Sequence, residues 1–215
     1  MYQIKLEQMK KKIKQCQNEQ RYEHTLGVMY TAGALAMRYG EELYKALFAG
    51  LLHDCAKGFP VSAILTICNS VRIPISEAEH QNPGLLHAKL GAYLAEKEYG
   101  IADSYIKDAI RCHTTGRPDM TLLDKIIYIA DYIEPNRDKA PNLAEIRRLA
   151  FEDIDECLYE ILKASVAYLK ENQEFMDPMT EETYLYYKQH LKNNRKDYRH
   201  GTIKKNGKIS IPSIG

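Results

Sequence analysis

Apolar residues return every three to four positions along almost the whole chain. Only a helix gathers that period onto one face, so it restricts the fold more than any other feature. The pattern predicts helices over roughly 3–16, 21–38, 41–53, 60–68, 83–98, 102–112, 121–133, 142–148, 151–172 and 180–197. Leu43, Ala46, Leu47, Gly50 and Leu51 show the stripe plainly. Breakers fall between the segments, at Gly40, Gly58, Pro60, Pro74, Asn82, Pro83, Gly100, Gly116, Pro118, Pro135, Pro141 and Pro178. Pro83 suits a first helical turn, where a missing amide proton costs little. The connections are short and no solenoid-length repeat is visible, which predicts an all-α, compact helical bundle. A chain of 215 residues is long enough to bury a full core.

The two ends differ from the middle. Residues 1–17 read as a basic amphipathic helix carrying Ile4, Leu6, Met9 and Ile13. The main domain, with a C-terminal helical extension, is expected over 18–200, and a tail over 201–215. In that tail an Asn206-Gly207 pair between alternating residues signals a hairpin, with a disordered tail as the alternative. Thirty Lys plus Arg against 29 Asp plus Glu leave a net charge of +1, which argues against a bulk polyanion binder. Nucleic acid is therefore not the expected partner, although the N-terminal helix offers a small basic face and an apolar one suited to a homodimer contact. No apolar region follows the N-terminal lysines, and no run nears the roughly 20 residues a membrane span needs. Cys16, Cys55, Cys68, Cys112 and Cys157 are scattered without a CxxC, as free thiols of a reducing cytoplasm are.

The chemistry sits in histidines and aspartates on apolar helices. Asp131 lies inside Ile126-Ile-Tyr-Ile-Ala-Asp-Tyr-Ile133, and His53-Asp54 follows Ala49-Gly-Leu-Leu52. A carboxylate in such a setting is costly to bury unless it is paired or binds a metal. His24, His87 and His113 sit on or at the ends of other helices. Each alone has an ordinary alternative as a hydrogen-bonded core histidine, and Asp131 alone as an arginine partner. Taken together, His24, His53, Asp54, His87, His113 and Asp131 suit a mixed nitrogen and oxygen site for two divalent metals. Iron, manganese, zinc, cobalt and nickel all fit such ligands. Asp54 is the choice for the bridging carboxylate. His80, expected in a loop, and His190 and His200 read as surface residues.

The ordered set His24, His53-Asp54, His87, His113, Asp131 resembles the HD-domain metal-dependent phosphohydrolases. The segments Arg21-Tyr-Glu-His24, Leu51-Leu-His-Asp-Cys-Ala-Lys57, Ile110-Arg-Cys-His113-Thr-Thr-Gly116 and Asp124 to Arg137 sharpen the likeness. They resemble the YqeK-type symmetrical diadenosine tetraphosphate hydrolases, over about residues 20–175. That resemblance implies an iron-preferring dinuclear site, a nucleotide ligand, a cytoplasmic location and cleavage of diadenosine tetraphosphate into two ADP by a metal-bridging hydroxide. A broader nucleotidase or phosphodiesterase, or a non-enzymatic metal- or nucleotide-binding regulator, are the competing readings.

Phosphate chemistry needs cations. Lys57, three residues past Asp54, is expected to act with Asp54 in catalysis and to hold a phosphoryl oxygen. Arg21 and Arg137 are the further phosphate ligands, with Arg117 as a weaker one and Thr114, Thr115 and Gly116 as a turn offering amides and hydroxyls. Asp124 and Glu134 are candidates to orient a ligand histidine, a salt bridge being the alternative for each. Tyr22, Tyr105, Tyr128 and Tyr132 are the candidates for stacking on a base.

Overall fold

A computed structural model describes residues 2–140 and 142–199, the side chains of 192–199 excepted. Among these residues every regular element is helical. The helices are α1 (Tyr2–Cys16), α2 (Glu19–Tyr39), α3 (Leu43–Leu52), α4 (Val61–Ser70), α5 (Glu77–Gln81), α6 (Leu86–Lys97), α7 (Ser104–Cys112), α8 (Leu122–Ile133), α9 (Leu143–Glu152), α10 (Ile154–Glu171) and α11 (Pro178–Arg199). A single 3-10 turn, Pro83–Leu85, leads into α6.

Polar side chains fix where several helices begin. Asn18 accepts the Arg21 amide at the start of α2, and Asp103 accepts the Tyr105 and Ile106 amides at the start of α7. Thr121 and Asp124 close a reciprocal capping box on α8. Each satisfies amides that a helix N-terminus leaves without partners. Gly40 ends α2 at φ 77°, a conformation costly to any residue with a β-carbon.

The core lies where α2 packs on α3 and α8, while α7 packs on the same two helices. Val28, Leu35, Leu51, Leu52, Ile110, Ile126, Ile127 and Ile129 are buried there. Gly50 lets α3 approach α2 closely, since a β-carbon on it would lie 2.9 Å from the Met29 Cα. This crossing brings the middle of α2 against the end of α3. Helix α1 turns Leu6, Met9 and Ile13 into the core and packs on α3. Its Lys12 reaches the Glu98 carbonyl at 2.9 Å and Lys5 the Gly100 carbonyl at 2.9 Å. The apolar stripe expected to face a partner is therefore spent inside the chain, with Tyr2 and Ile4 left exposed.

Several boundaries depart from the sequence expectation. His80 lies in α5, not in a loop, because Ser76 and Glu79 form a capping box that starts a short helix; its side chain is exposed, as is that of His190. The segment expected as one helix from 83 divides into the 3-10 turn and α6. Helix α9 continues to Glu152, and Asp153 then caps α10 by accepting the Asp155 and Glu156 amides. His200 and the 201–215 hairpin or tail lie outside the described residues. Among the described residues no helix is long and apolar enough to cross a membrane. The five cysteines are unpaired, and burial pushes the Cys55, Cys112 and Cys157 thiols up to about 12. Thiols so disfavoured as thiolates act as core filler.

Candidate metal centre and its cavity

Four imidazoles and two carboxylates from separate helices meet at one place. His24 projects from α2, His53 and Asp54 from the turn that ends α3, His87 from the first turn of α6, His113 from the end of α7 and Asp131 from α8. Ring centroids stand 5.3 Å apart for His24 and His53, and 5.1 Å for both His53–His113 and His87–His113.

The ring nitrogens have divided roles. Nδ1 of His53 donates to the Gly50 carbonyl at 2.7 Å, Nδ1 of His87 to the Gly84 carbonyl at 2.6 Å and Nδ1 of His113 to the Ile110 carbonyl at 2.7 Å. Each carbonyl lies three residues earlier, so the local chain fixes the tautomer. Nε2 is left as a bare lone pair on the inner side. His24 uses a side chain instead, its Nδ1 standing 3.1 Å from Glu134 Oε1.

The inner atoms crowd together. Asp54 Oδ1 lies 3.3 Å from His87 Nε2 and 3.4 Å from His113 Nε2. Asp54 Oδ2 lies 3.6 Å from His53 Nε2 and 4.0 Å from His24 Nε2. Asp131 Oδ1 lies 3.2 Å from His24 Nε2 and 3.9 Å from His53 Nε2. Two overlapping ligand clusters result, His24–His53–Asp131 and His53–Asp54–His113, with donor atoms within 4.8 Å of one another in each.

These residues fit divalent metals on the evidence of their own unmet bonding. His53 Nε2 and Asp54 Oδ1 are buried without a hydrogen-bond partner. His87 Nε2 and His113 Nε2 approach to 3.1 Å although both Nδ1 atoms already carry the donated proton. Facing lone pairs, buried and unpaired, are costly unless a cation lies between them. Burial moves the imidazoles toward the neutral, ligating form: it is the largest influence on both His53, held down at about 4, and His87, which is also lowered. For Asp54 and Asp131 burial pulls upward. It is outweighed by the neighbouring imidazoles and, at Asp54, by Lys57, so both carboxyls stay well below the usual range. At His24 burial pulls down, but hydrogen bonds to Asp131 and Glu134 prevail and its pKa is raised.

A cavity of about 750 Å³ opens over this centre. His24, Asp54, His113 and Asp131 form its floor, and Arg21, Lys57, Arg137 and Lys139 bring positive charge to its wall. Lys57 Nζ stands 3.1 Å and Arg21 Nη1 4.0 Å from Asp54 Oδ2, while Arg137 Nη2 stands 2.7 Å from Asp131 Oδ1. Thr114 also lines the cavity, as do Tyr128 and Tyr132. Tyr22 and Tyr105 do not, and are covered instead by the Lys14 and Lys45 ammonium groups.

Three expected site residues fall elsewhere. Arg117 is committed to Asp124, with Nη2 2.5 Å from Oδ2, and does not line the cavity. Asp124 spends the same oxygen on the Thr121 amide at the start of α8, so it orients no ligand histidine. Gly116 is buried in the left-handed region at φ 68°, where a β-carbon would meet Thr183 Cγ2 at 2.7 Å. It lets the turn after His113 pack under α11.

Other residues gave no signal in the sequence. Asn18, Gln20, Asn136, Asp138 and Ser165 line the cavity as well. Arg147 of α9 holds the turn after α8, donating to the carbonyls of Ile133 at 2.9 Å, Glu134 at 2.8 Å and Arg137 at 2.9 Å. Only its sequence distance from that turn hid this role.

The comparisons with known proteins agree. The HD domain family model matches residues 21–136. A symmetrical bis(5'-nucleosyl)-tetraphosphatase of Bacillus subtilis (strain 168) is 46% identical over 176 residues, covering 81% of this chain and 91% of its own. One of Staphylococcus aureus (strain NCTC 8325 / PS 47) is 36% identical over 168 residues, covering 77% and 86%. A crystal structure of an HD superfamily hydrolase described as involved in NAD metabolism, from Clostridium acetobutylicum, superposes with a TM-score of 0.82 at 39% identity. That match covers 86% of this chain and 97% of the other.

Proposed function

The chain belongs to the HD-domain family, to its symmetrical bis(5'-nucleosyl)-tetraphosphatases, and we propose that its six converging ligands and the cations above them act as one device for cutting diadenosine tetraphosphate into two ADP. It is a metal-dependent phosphoanhydride hydrolase. One observation carries the assignment of the ligands: the orphaned lone pairs of His53 Nε2 and Asp54 Oδ1 at the centre of four imidazoles.

His24, His53, Asp54 and Asp131 would hold one metal, and His87 and His113 the other, with Asp54 shared between them. Bound there, two divalent ions supply Lewis acidity and bring a water's pKa close to neutrality. The protein's part is positional and electrostatic. Asp54 reaches both groups of imidazoles through its two oxygens, so it fixes their separation. Lys57 and Arg137 lie beside the two metal-facing carboxylates and are placed to take phosphoryl oxygens. Arg21, one turn before His24 on α2, adds a third cation on the same side.

Hydrolysis adds one water to a central phosphorus and breaks the bridge to the neighbouring phosphoryl group. The departing ADP carries its new charge on a phosphate oxygen. Fixed cations therefore serve its departure better than a general acid would. Thr114 offers a hydroxyl at the same wall, and Tyr132 an aromatic face toward a base. Iron as the resident metal and a cytoplasmic location complete the proposal. The mixed imidazole and carboxylate set, the four buried unpaired thiols and the relatives' function support them.

Anaerobic purification, metal analysis and separation of the nucleotide products test it. About two metals per chain with ADP as sole product is the expected result. ATP with AMP would sink the symmetrical cleavage, and a chain that takes up no metal would sink the site.

A further inference from the structure

We propose that Gly27, Glu134 and Arg147 form a positioning unit for His24, so that the metal held by His24 depends on the Glu134 carboxylate while the one held by His87 and His113 does not. This rests on the reading of the six residues as metal ligands.

His24 is the exception among the four imidazoles. His53, His87 and His113 turn Nδ1 to a carbonyl three residues back. Inside α2 the carbonyls preceding His24 serve the helix, and its ring needs an acceptor from elsewhere. Glu134 provides it from 110 residues away, at 3.1 Å. The Glu134 side chain is 2% exposed. Its other oxygen accepts the Asn136 amide at 2.8 Å. Both oxygens are thereby engaged, and the carboxylate has one setting.

That setting exists because residue 27 has no side chain. A β-carbon on Gly27 would lie 2.3 Å from Glu134 Oε2 and 3.1 Å from its Cδ. Gly27 stands three residues after His24, on the same face of α2. The helix that carries the ligand thus also carries the seat for the ligand's acceptor. Arg147 ties down the backbone of Glu134 and its neighbours through four carbonyls.

A carboxylate on Nδ1 makes a histidine a stronger donor at Nε2 and locks its ring plane. The His24–His53–Asp131 group is therefore tuned by Glu134. His87 and His113, on the other side of Asp54, rely on backbone carbonyls instead.

The test is a Mn²⁺ titration of the full-length, metal-stripped chain, with free ion counted by its electron paramagnetic resonance signal. Wild type is expected to take about two equivalents. In Glu134→Ala one equivalent should weaken about 10- to 100-fold while the other keeps its affinity. Gly27→Ala should reproduce that asymmetric loss by expelling the carboxylate. Combined with Glu134→Ala it should add nothing, since the clash has no remaining target. Glu134→Gln, which keeps an acceptor for Nδ1 but loses the charge and the second acceptor, should recover part of the affinity. Circular dichroism and thermal unfolding identify any variant that fails to fold, and Glu134→Gln against Glu134→Ala then decides. Unchanged affinity for both equivalents in Glu134→Ala, equal weakening of both, or additive losses in the double variant overturns the proposal. A wild-type chain that binds no Mn²⁺ overturns the metal reading beneath it.

Discussion

Gly50→Ala is the sharpest probe of how the fold spaces the site. The new β-carbon would lie 2.9 Å from the Met29 Cα and 3.2 Å from both the Met29 nitrogen and the Val28 oxygen. All three are backbone atoms of α2, so no rotamer change relieves them. Ordinary contact begins near 3.4 Å, so α2 and α3 must part by about half an ångström. Overpacking of this kind costs about 1–3 kcal/mol. At roughly 2–4 °C per kcal/mol for a chain of this size, Tm should fall by about 2–12 °C. The shift also separates His24 on α2 from His53 at the end of α3. Metal sites tolerate about 0.2 Å in ligand distance, so affinity should drop along with stability. Misplacement by about 1 Å costs on the order of 100-fold in rate, so half of that predicts about a 10-fold loss in kcat/KM. Gly33→Ala is the control at the same helix pair. Its β-carbon would also meet an atom at 2.9 Å, but that atom is Leu47 Cδ2, the end of a flexible side chain. Thermal unfolding and diadenosine tetraphosphate hydrolysis should therefore separate the two variants. Equal effects from both, or a Gly50→Ala protein with wild-type Tm and kcat/KM, would refute the argument that this crossing sets the ligand spacing.

Asp54→Asn should remove most bound metal and nearly all activity, because one carboxylate faces both imidazole groups; metal analysis of the purified variant checks this. Arg137→Met and Lys57→Met should leave metal content near wild type and lower kcat/KM by about 10- to 1000-fold, as loss of a transition-state donor does; a steady-state assay beside metal analysis distinguishes this from lost metal. For the chelator-treated protein, burial holds His53 at about 4 against about 6.5 unfolded. Between those values the unfolded chain binds the extra proton, so stability is full above about pH 6.5 and falls toward pH 4, by on the order of 3 kcal/mol. Urea unfolding of wild type beside His53→Gln at pH 7, 5.5 and 4 isolates that share, because His87, also lowered, adds to the loss and His24, raised, opposes it; identical pH profiles for the two would show that His53 is not buried neutral.

The helical period was readable because long amphipathic faces repeat it many times. Five-residue α5 repeats it hardly once, and only the Ser76 and Glu79 cap spacing marked it in the sequence. Asp131 and the His53-Asp54 doublet were legible as polar groups misplaced on apolar helices, while His24, His87 and His113, each ordinary alone, joined them only as an ordered set. Asp124 misled because a seven-residue interval returns to the same helical face two turns away, about 10 Å along the axis. At that distance from Asp131 it serves the helix start and Arg117. Gly27 and Arg147 left no trace, since what they do depends on a neighbour brought in by the fold, over 100 residues away for Gly27.

The bonds from Nδ1 of His53 and His113 to Gly50 and Ile110 use carbonyls in the last turns of α3 and α7. A helix end normally leaves such oxygens to solvent or a cap, and carries partial negative charge. Placing a histidine as the cap turns a leftover acceptor into a tautomer selector. It also aims two helix termini of negative potential at the spot where cations are to sit. Which nitrogen presents its lone pair is then decided within four residues of chain, and only the spacing between rings is left to long-range packing. Redesign of the helix crossings should therefore alter which ion fits while leaving the ligating atoms unchanged.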